Sequence, residues 1–352
     1  MAEQTKKITV KFFINTLLNG MAAGIVVALI ANAVLGQIFK ALAPYGAIFG
    51  MLYQSVADVQ YLVSVVIGFI VGIQLGFVPI KASMIGLAGF IASGAVRHVD
   101  GIVKLVGIGD LINVMIIVAL AALVTLWLGN KLGSLTIIVQ PIIVAGGLGA
   151  LGLFILPYVA EVSAAIGRGI NSFTVLQPVL MCILIAASFS IVIISPISTV
   201  AIGIAIGLAG LASGAANLGV AACTAVLIVG SWRVNKAGIT AAIALGGMKL
   251  MIPNLVRYPI MALPVVLTAA ASGIAGRFLG IMGDKVSAGF GIAGLVGPIK
   301  AYELLSGSPA VRIGALLIAY LVVPFGCALL LHILFTKIIK LYKPEIYKSE
   351  AV

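Results

Sequence analysis

The stretch GINSFTVLQPVLMCILIAASFSIVIISPISTVAIGIAIGLAGLASGAANLGVAACTAVLIVGSW, Gly169 to Trp232, runs 64 residues without a charged side chain. As one helix it would measure roughly 96 Å, about three hydrocarbon thicknesses, so the chain must turn back within it. Pro178 and Pro196 are the expected turning points, because proline removes a backbone donor and clashes with the preceding turn. Hydrocarbon supplies no partners for backbone N–H and C=O groups, so such a segment crosses as helices or as a closed barrel. Barrel strands alternate apolar and polar residues over about ten positions. Here the apolar runs are continuous, which selects helices.

The same pattern extends along the chain. Further charge-free intervals run from Phe12 to Phe39, Val59 to Ile80, Leu111 to Asn130, Leu132 to Ala160, Tyr258 to Gly276 and Ile313 to Thr336. Each is long enough to cross a bilayer. Three shorter ones, Ala82 to Val96, Ala237 to Met248 and Val286 to Ile299, read as half-helices or re-entrant segments. Overall 62% of residues are hydrophobic and 9% charged, against roughly a quarter charged in soluble domains. The fold class is therefore an all-α polytopic membrane protein, with about ten transmembrane helices expected.

A net charge of +12 is read as membrane anchoring and not as nucleic-acid binding, because the basic residues flank the apolar spans. Lys6, Lys7 and Lys11 precede the first span; Lys337, Lys340, Lys343 and Lys348 follow the last. The positive-inside rule then places both termini in the cytoplasm, with the lysines on anionic lipid head groups. The first apolar run is too long for a cleavable signal and lacks a small-residue cleavage pattern. Cys182, Cys223 and Cys327 lie inside apolar intervals and read as packing residues. Neither His98 nor His332 has a neighbour at ligand spacing, so no metal and no cofactor is expected.

An internal duplication is also expected. Ile85-Gly-Leu-Ala-Gly-Phe-Ile-Ala-Ser-Gly-Ala95 recurs as Ile206-Gly-Leu-Ala-Gly-Leu-Ala-Ser-Gly-Ala215 with one deletion, and Gln60 and Pro79-Ile80 match Gln177 and Pro196-Ile197 at an offset of 117 residues. The chain divides as one membrane domain, 1–352, with repeats at about 12–130 and 133–253 and a C-terminal section, 254–340. Repeats of this size are common in transporters, where alternating access moves one bundle against another.

Transporters hold solutes where helices break, since unwound carbonyls and helix starts offer polar groups that regular helices have used. Four places fit. At Ile194-Ser-Pro-Ile-Ser-Thr199, Ser195 and Ser198 either face solute or cap the following helix. In Gly107-Ile-Gly-Asp-Leu-Ile-Asn113, Asp110 and Asn113 share a helical face; Asp110 alternatively neutralises Lys104 or caps the span. Asn217, in Ala215-Ala-Asn-Leu-Gly219, either bridges helices or faces the solute path. Ser287 opens Ser-Ala-Gly-Phe-Gly-Ile-Ala-Gly-Leu-Val-Gly-Pro298, too rich in Gly and Pro for a stable lipid-facing helix. Asn235, in Gly230-Ser-Trp-Arg-Val-Asn-Lys236, and Lys249 complete the substrate-contacting candidates. No P-loop, nucleophile elbow or His-Glu-x-x-His is present, so no catalytic residue is expected.

The segments 107–113, 194–202, 215–219, Trp232-Arg-Val-Asn235 and 287–299 together resemble the EIIC membrane component of the bacterial sugar phosphotransferase system. The likeness is to a divergent EIIC family that includes proteins called perfringolysin O regulators. It implies a homodimeric permease in the bacterial plasma membrane that translocates a carbohydrate or related small solute. It further implies partner IIA and IIB chains that supply phosphate, so that this chain is at most the membrane subunit of a phosphotransferase system. The alternative is a membrane sensor or regulator that binds a small ligand without transporting it.

Overall fold

The computed structural model describes residues 9–285 and 287–349, so Lys6, Lys7 and Val286 lie outside the described residues. The described chain is mostly helical, and its strands form one short two-stranded hairpin. In order, the helices are α1 (Val10–Tyr45), α2 (Ala47–Gln74), α3 (Pro79–Ser93), α4 (Leu111–Leu128), α5 (Thr136–Val175), α6 (Pro178–Val192) and α7 (Thr199–Ala205). There follow α8 (Gly210–Ser231), α9 (Ala237–Ala244), α10 (Ile252–Arg257), α11 (Pro259–Phe278), α12 (Val296–Leu304) and α13 (Pro309–Ile338). Seven of them, α1, α2, α4, α5, α8, α11 and α13, are long and apolar enough to cross a membrane; α3 and α6 are apolar but shorter.

The uncharged stretch 169–232 breaks at both prolines. Gln177 is extended (φ −52°, ψ 135°), its side chain caps the N–H groups of Val179 and Leu180, and α6 starts at Pro178. Proline suits that first helical position because the N–H it lacks would have no partner there. The second break separates α6 from α7 across residues 193–198. Of the shorter intervals, Ala82 to Val96 lies mostly in α3 and Ala237 to Met248 contains α9. The third, in its described part 287–299, is largely non-helical before α12.

The described residues form two compact units, 9–162 and 163–349. In the first, α2 packs against α1 and α3, and α3 against α4 and the beginning of α5. Glycine sets these approaches: a methyl at Gly68 would lie 2.6 Å from the Gly86 Cα, and one at Gly72 2.7 Å from the Ala82 Cα. The hairpin Val96–Val99/Ile102–Leu105 joins α3 to α4. It pairs Arg97 with Lys104, and its turn residues Asp100 and Gly101 both have positive φ, the form that matches strand twist.

In the second unit α8 is central and almost wholly buried, packed by α6, α9, α11 and α13. Its sequence is small on every side, Leu-Ala-Ser-Gly-Ala-Ala-Asn-Leu-Gly from Leu211 to Gly219, which suits a helix that has no lipid face. The two matched segments of the expected duplication differ locally. Residues 85–93 continue through α3, whereas 206–215 cross the gap between α7 and α8, with Gly207 at φ 63° and Gly210 at φ 61°. Glycine permits either course, so tertiary contacts choose between them.

A methyl at Gly219 would overlap the Ala186 carbonyl of α6, whereas nothing lies within 4 Å of one at Gly314. Gly219→Val is therefore expected to destabilise the protein by about 1–3 kcal/mol, read as a lower melting temperature in detergent. Gly314→Ala is expected to leave it unchanged or slightly higher.

Candidate functional site

The break between α6 and α7 leaves carbonyls without helical partners. Ser195 turns the chain: its hydroxyl donates to the Val192 carbonyl (2.7 Å) and accepts from the Ile197 N–H (3.1 Å). Ser198 caps α7, its Oγ accepting from the Ala201 N–H at 3.1 Å. The freed carbonyls of Ser195 and Ile197 both accept from the Nζ of Lys249, the latter at 2.9 Å. Lys249 is buried, on the turn Met248–Met251 between α9 and α10, and has no carboxylate partner among the described residues. A buried lysine whose amino group is held only by carbonyls is expensive, which makes function the default reading of such a group.

Facing this break is the stretch 279–295 between α11 and α12, whose described residues, 279–285 and 287–295, are irregular apart from one short turn and bend at Gly280, Gly289, Gly291 and Gly294, each with positive φ. It is held by side chains of α7 and α8. Thr199 donates to the Gly289 carbonyl (2.9 Å), the Gly291 N–H donates to Asn217 Oδ1 (3.1 Å), and Ser213 donates to the Asp284 carbonyl (2.8 Å). Gly210 and Gly283 exchange backbone bonds of 2.8 and 3.0 Å. Within the stretch, the Ser287 N–H donates to Asp284 Oδ1 (2.8 Å) and the Asp284 N–H to Ser287 Oγ (3.0 Å). Burial, the largest influence on the Asp284 carboxyl, raises its pKa. The Ser287 N–H and hydroxyl, together with Lys300 at 3.5 Å, outweigh it and hold the group below its ordinary range.

Five of the residues singled out in the sequence, Ser195, Ser198, Asn217, Lys249 and Ser287, thus belong to one hydrogen-bonded framework in the second unit. The other three sit elsewhere. In the first unit Asp110 caps α4, accepting from the Asn113 N–H at 2.9 Å. Asn113, fully buried, donates to the Ala92 carbonyl (2.6 Å) and the Gly152 carbonyl (2.9 Å), joining α3 to α5. Asn235 donates to Ser231 Oγ and the Tyr347 carbonyl, both at 2.7 Å, and accepts from the Ser349 N–H at 2.8 Å, tying down the C-terminal segment.

Three buried residues outside that set are also notable, two for their hydrogen bonds and the third, Tyr320, for a hydroxyl that makes none. Thr199 anchors the glycine-rich stretch. Lys81, buried just after the Pro79-Ile80 pair, donates to the Gly129 carbonyl (3.1 Å) and Asn130 Oδ1 (3.3 Å) at the end of α4. Tyr320 lies in an apolar run where nothing in the sequence marks it. Among the described residues no group of three or more His, Cys, Asp or Glu side chains is placed to hold a metal.

The family described as Phosphotransferase system, EIIC, matches residues 15–349, a range that contains the whole framework. The chain belongs to that family. As an EIIC protein it is a multi-pass plasma-membrane component of sugar transport, in a family that works on carbohydrates with IIA and IIB partners. No curated protein matches the EIIC chain, and no solved structure does.

Because folding lowers the Asp284 pKa, its contribution to stability is present above the ordinary carboxylate value of about 4 and is lost as pH falls below it. Melting temperatures of wild type and Asp284→Asn are expected to converge as the buffer is taken from pH 6 to pH 3. A constant difference would show that the carboxylate adds nothing.

Proposed function

We propose that this EIIC protein translocates a carbohydrate or related small solute and holds it at the framework of the second unit, where the Ser195–Ser198 break meets Lys249 and the glycine-rich stretch. The observation that carries this reading is Lys249, a buried lysine whose amino group donates to two freed backbone carbonyls. An ammonium is donor only and a carbonyl acceptor only. A sugar hydroxyl is both, so it can take the place of either partner, accepting from Nζ and donating to the Ser195 or Ile197 carbonyl. The site can therefore exchange its internal bonds for bonds to solute without stranding a polar group, which is the requirement for binding inside a membrane.

In this reading Asn217 and Ser287 line the same path, while Asp110 and Asn113 stiffen the first unit. The match between residues 85–95 and 206–215 supports a duplicated transporter, and the basic flanks support cytoplasmic termini. IIA and IIB proteins would phosphorylate the delivered sugar, with the EIIC chain acting as a homodimer by analogy with its family.

The test is uptake of radiolabelled sugars by proteoliposomes, with and without IIA and IIB proteins. Lys249→Met and Asn217→Ala are each expected to lower uptake by about tenfold or more, the weight of 1.4 kcal/mol, with the folded fraction checked by size-exclusion chromatography. Wild-type rates in a folded Lys249→Met variant, or no uptake of any sugar by the wild type, would overturn the proposal.

A further inference from the structure

Among the described residues, three side-chain polar atoms of the second unit are buried without a partner, Asn217 Nδ2, Thr268 Oγ1 and Tyr320 Oη, and the first and last of them belong to side chains that meet at one point. Asn217 is fully buried and Tyr320 is 2% exposed, yet neither Asn217 Nδ2 nor Tyr320 Oη makes a hydrogen bond. Orphaned polar atoms are uncommon in folded chains, and each calls for an explanation. These two come from different helices, α8 and α13, and meet at Gly297 of α12. A methyl placed on Gly297 would lie 3.2 Å from Tyr320 Oη, 3.1 Å from Asn217 Cγ and 2.5 Å from the Gly291 carbonyl oxygen. Glycine is required there for space and not for backbone freedom.

The surroundings combine an altered helix with an apolar cluster. Tyr320 falls in Ile318–Val322, where α13 widens to i→i+5 hydrogen bonding. Such bulges re-aim side chains and are frequent at functional positions. Behind the tyrosine lies an apolar wall of Leu218, Ala221, Ile281, Ala301 and Leu305. An apolar wall with a few converging polar groups is the usual composition of a small-molecule pocket. The Gly291 N–H occupies Asn217 Oδ1 and so leaves Nδ2 turned away from that bond. Leu295, at φ 57°, holds the end of the glycine-rich stretch in a left-handed conformation that is costly for a branched side chain.

We propose that Asn217, Tyr320 and the Gly291 carbonyl, with Gly297 leaving them room, form a subsite for a hydroxyl group of a neutral polyhydroxylated solute. The proposal rests on the reading of the second unit as the solute site and adds to it the substrate's charge class and a specificity residue, Tyr320. The chemistry selects the class. Nδ2 only donates, the carbonyl only accepts and the tyrosine hydroxyl does both. A hydroxyl complements all three at once, whereas a carboxylate or phosphate would face the carbonyl and an ammonium would face Nδ2.

The experiment uses the full chain purified in detergent, with glucose, N-acetylglucosamine and mannitol as neutral probes and gluconate and glucosamine as charged ones. Affinity is read by titration calorimetry and stability by thermal melting. At least one neutral probe is expected to bind, and Tyr320→Phe to weaken it by about tenfold, the weight of one buried hydrogen bond. The same variant, free of ligand, is expected to melt at or above the wild-type temperature, because it deletes an unpaired hydroxyl. Gly297→Ala is expected to abolish binding. Unchanged affinity in Tyr320→Phe, preference for the charged probes, or no neutral probe binding to wild type would overturn the subsite. Vesicle uptake separates the two claims. Transport indifferent to Tyr320→Phe removes the subsite and leaves the permease, while binding weakened by Tyr320→Phe with no uptake by wild type removes the permease and leaves the subsite.

Discussion

A carbonyl released by a helix break inside a membrane has no water to turn to, and leaving it unpaired costs several kcal/mol. Much of the second unit is organised around that debt. Pro196 interrupts the long uncharged stretch, the interruption frees the carbonyls of Ser195 and Ile197, and Lys249 reaches in from a different turn to take both. The hydroxyls of Ser195 and Ser198 settle the neighbouring N–H groups locally. The same logic holds for the glycine-rich stretch 279–295, whose backbone is met by Thr199, Ser213 and Asn217 from helices already placed. A break satisfied this way is stable, and each satisfying bond is also one that a polar solute can replace.

Packing depends on a second constraint. Lipid tails are as apolar as leucine, so burial alone does not drive helices together in a bilayer; close van der Waals approach and side-chain hydrogen bonds do. Gly219 against Ala186 and Gly273 against Cys182 bring α8 and α11 onto α6 with no side chain between. Asn113 supplies the polar counterpart in the first unit by bridging α3 and α5 through two carbonyls. Small residues and a few amides therefore do the work that large apolar side chains do in a soluble core.

How much of the candidate site is legible in the sequence varies residue by residue. Ser195, Ser198, Asn217 and Ser287 are legible because each is a polar residue interrupting an apolar run or flanking a Gly or Pro break. Asp110 shows why such a signal is ambiguous: a carboxylate at the start of a span looks the same whether it binds solute or caps the helix, and here it caps α4. Asn235 is similar, its side chain being spent on Ser231, Tyr347 and Ser349, more than a hundred positions away in the latter two cases. Tyr320 is illegible. It looks like one more bulky residue in a span, and only the convergence of α8, α12 and α13 gives its hydroxyl a setting.

The membrane class, the helical architecture and the breaks at Pro178 and Pro196 follow from the sequence by itself, because backbone satisfaction in hydrocarbon and the missing proline N–H act locally on any chain. Tertiary structure decided the rest. Identical glycine-rich residues lie inside α3 in one place and across the gap before α8 in another, since glycine expresses no preference that neighbours cannot override. Tertiary structure also decided that Lys249 meets carbonyls 52 and 54 positions earlier, and that Asn217 meets Gly291. Those pairings join groups far apart in the chain, and a sequence records what a side chain can bond to but not what folding brings within reach of it.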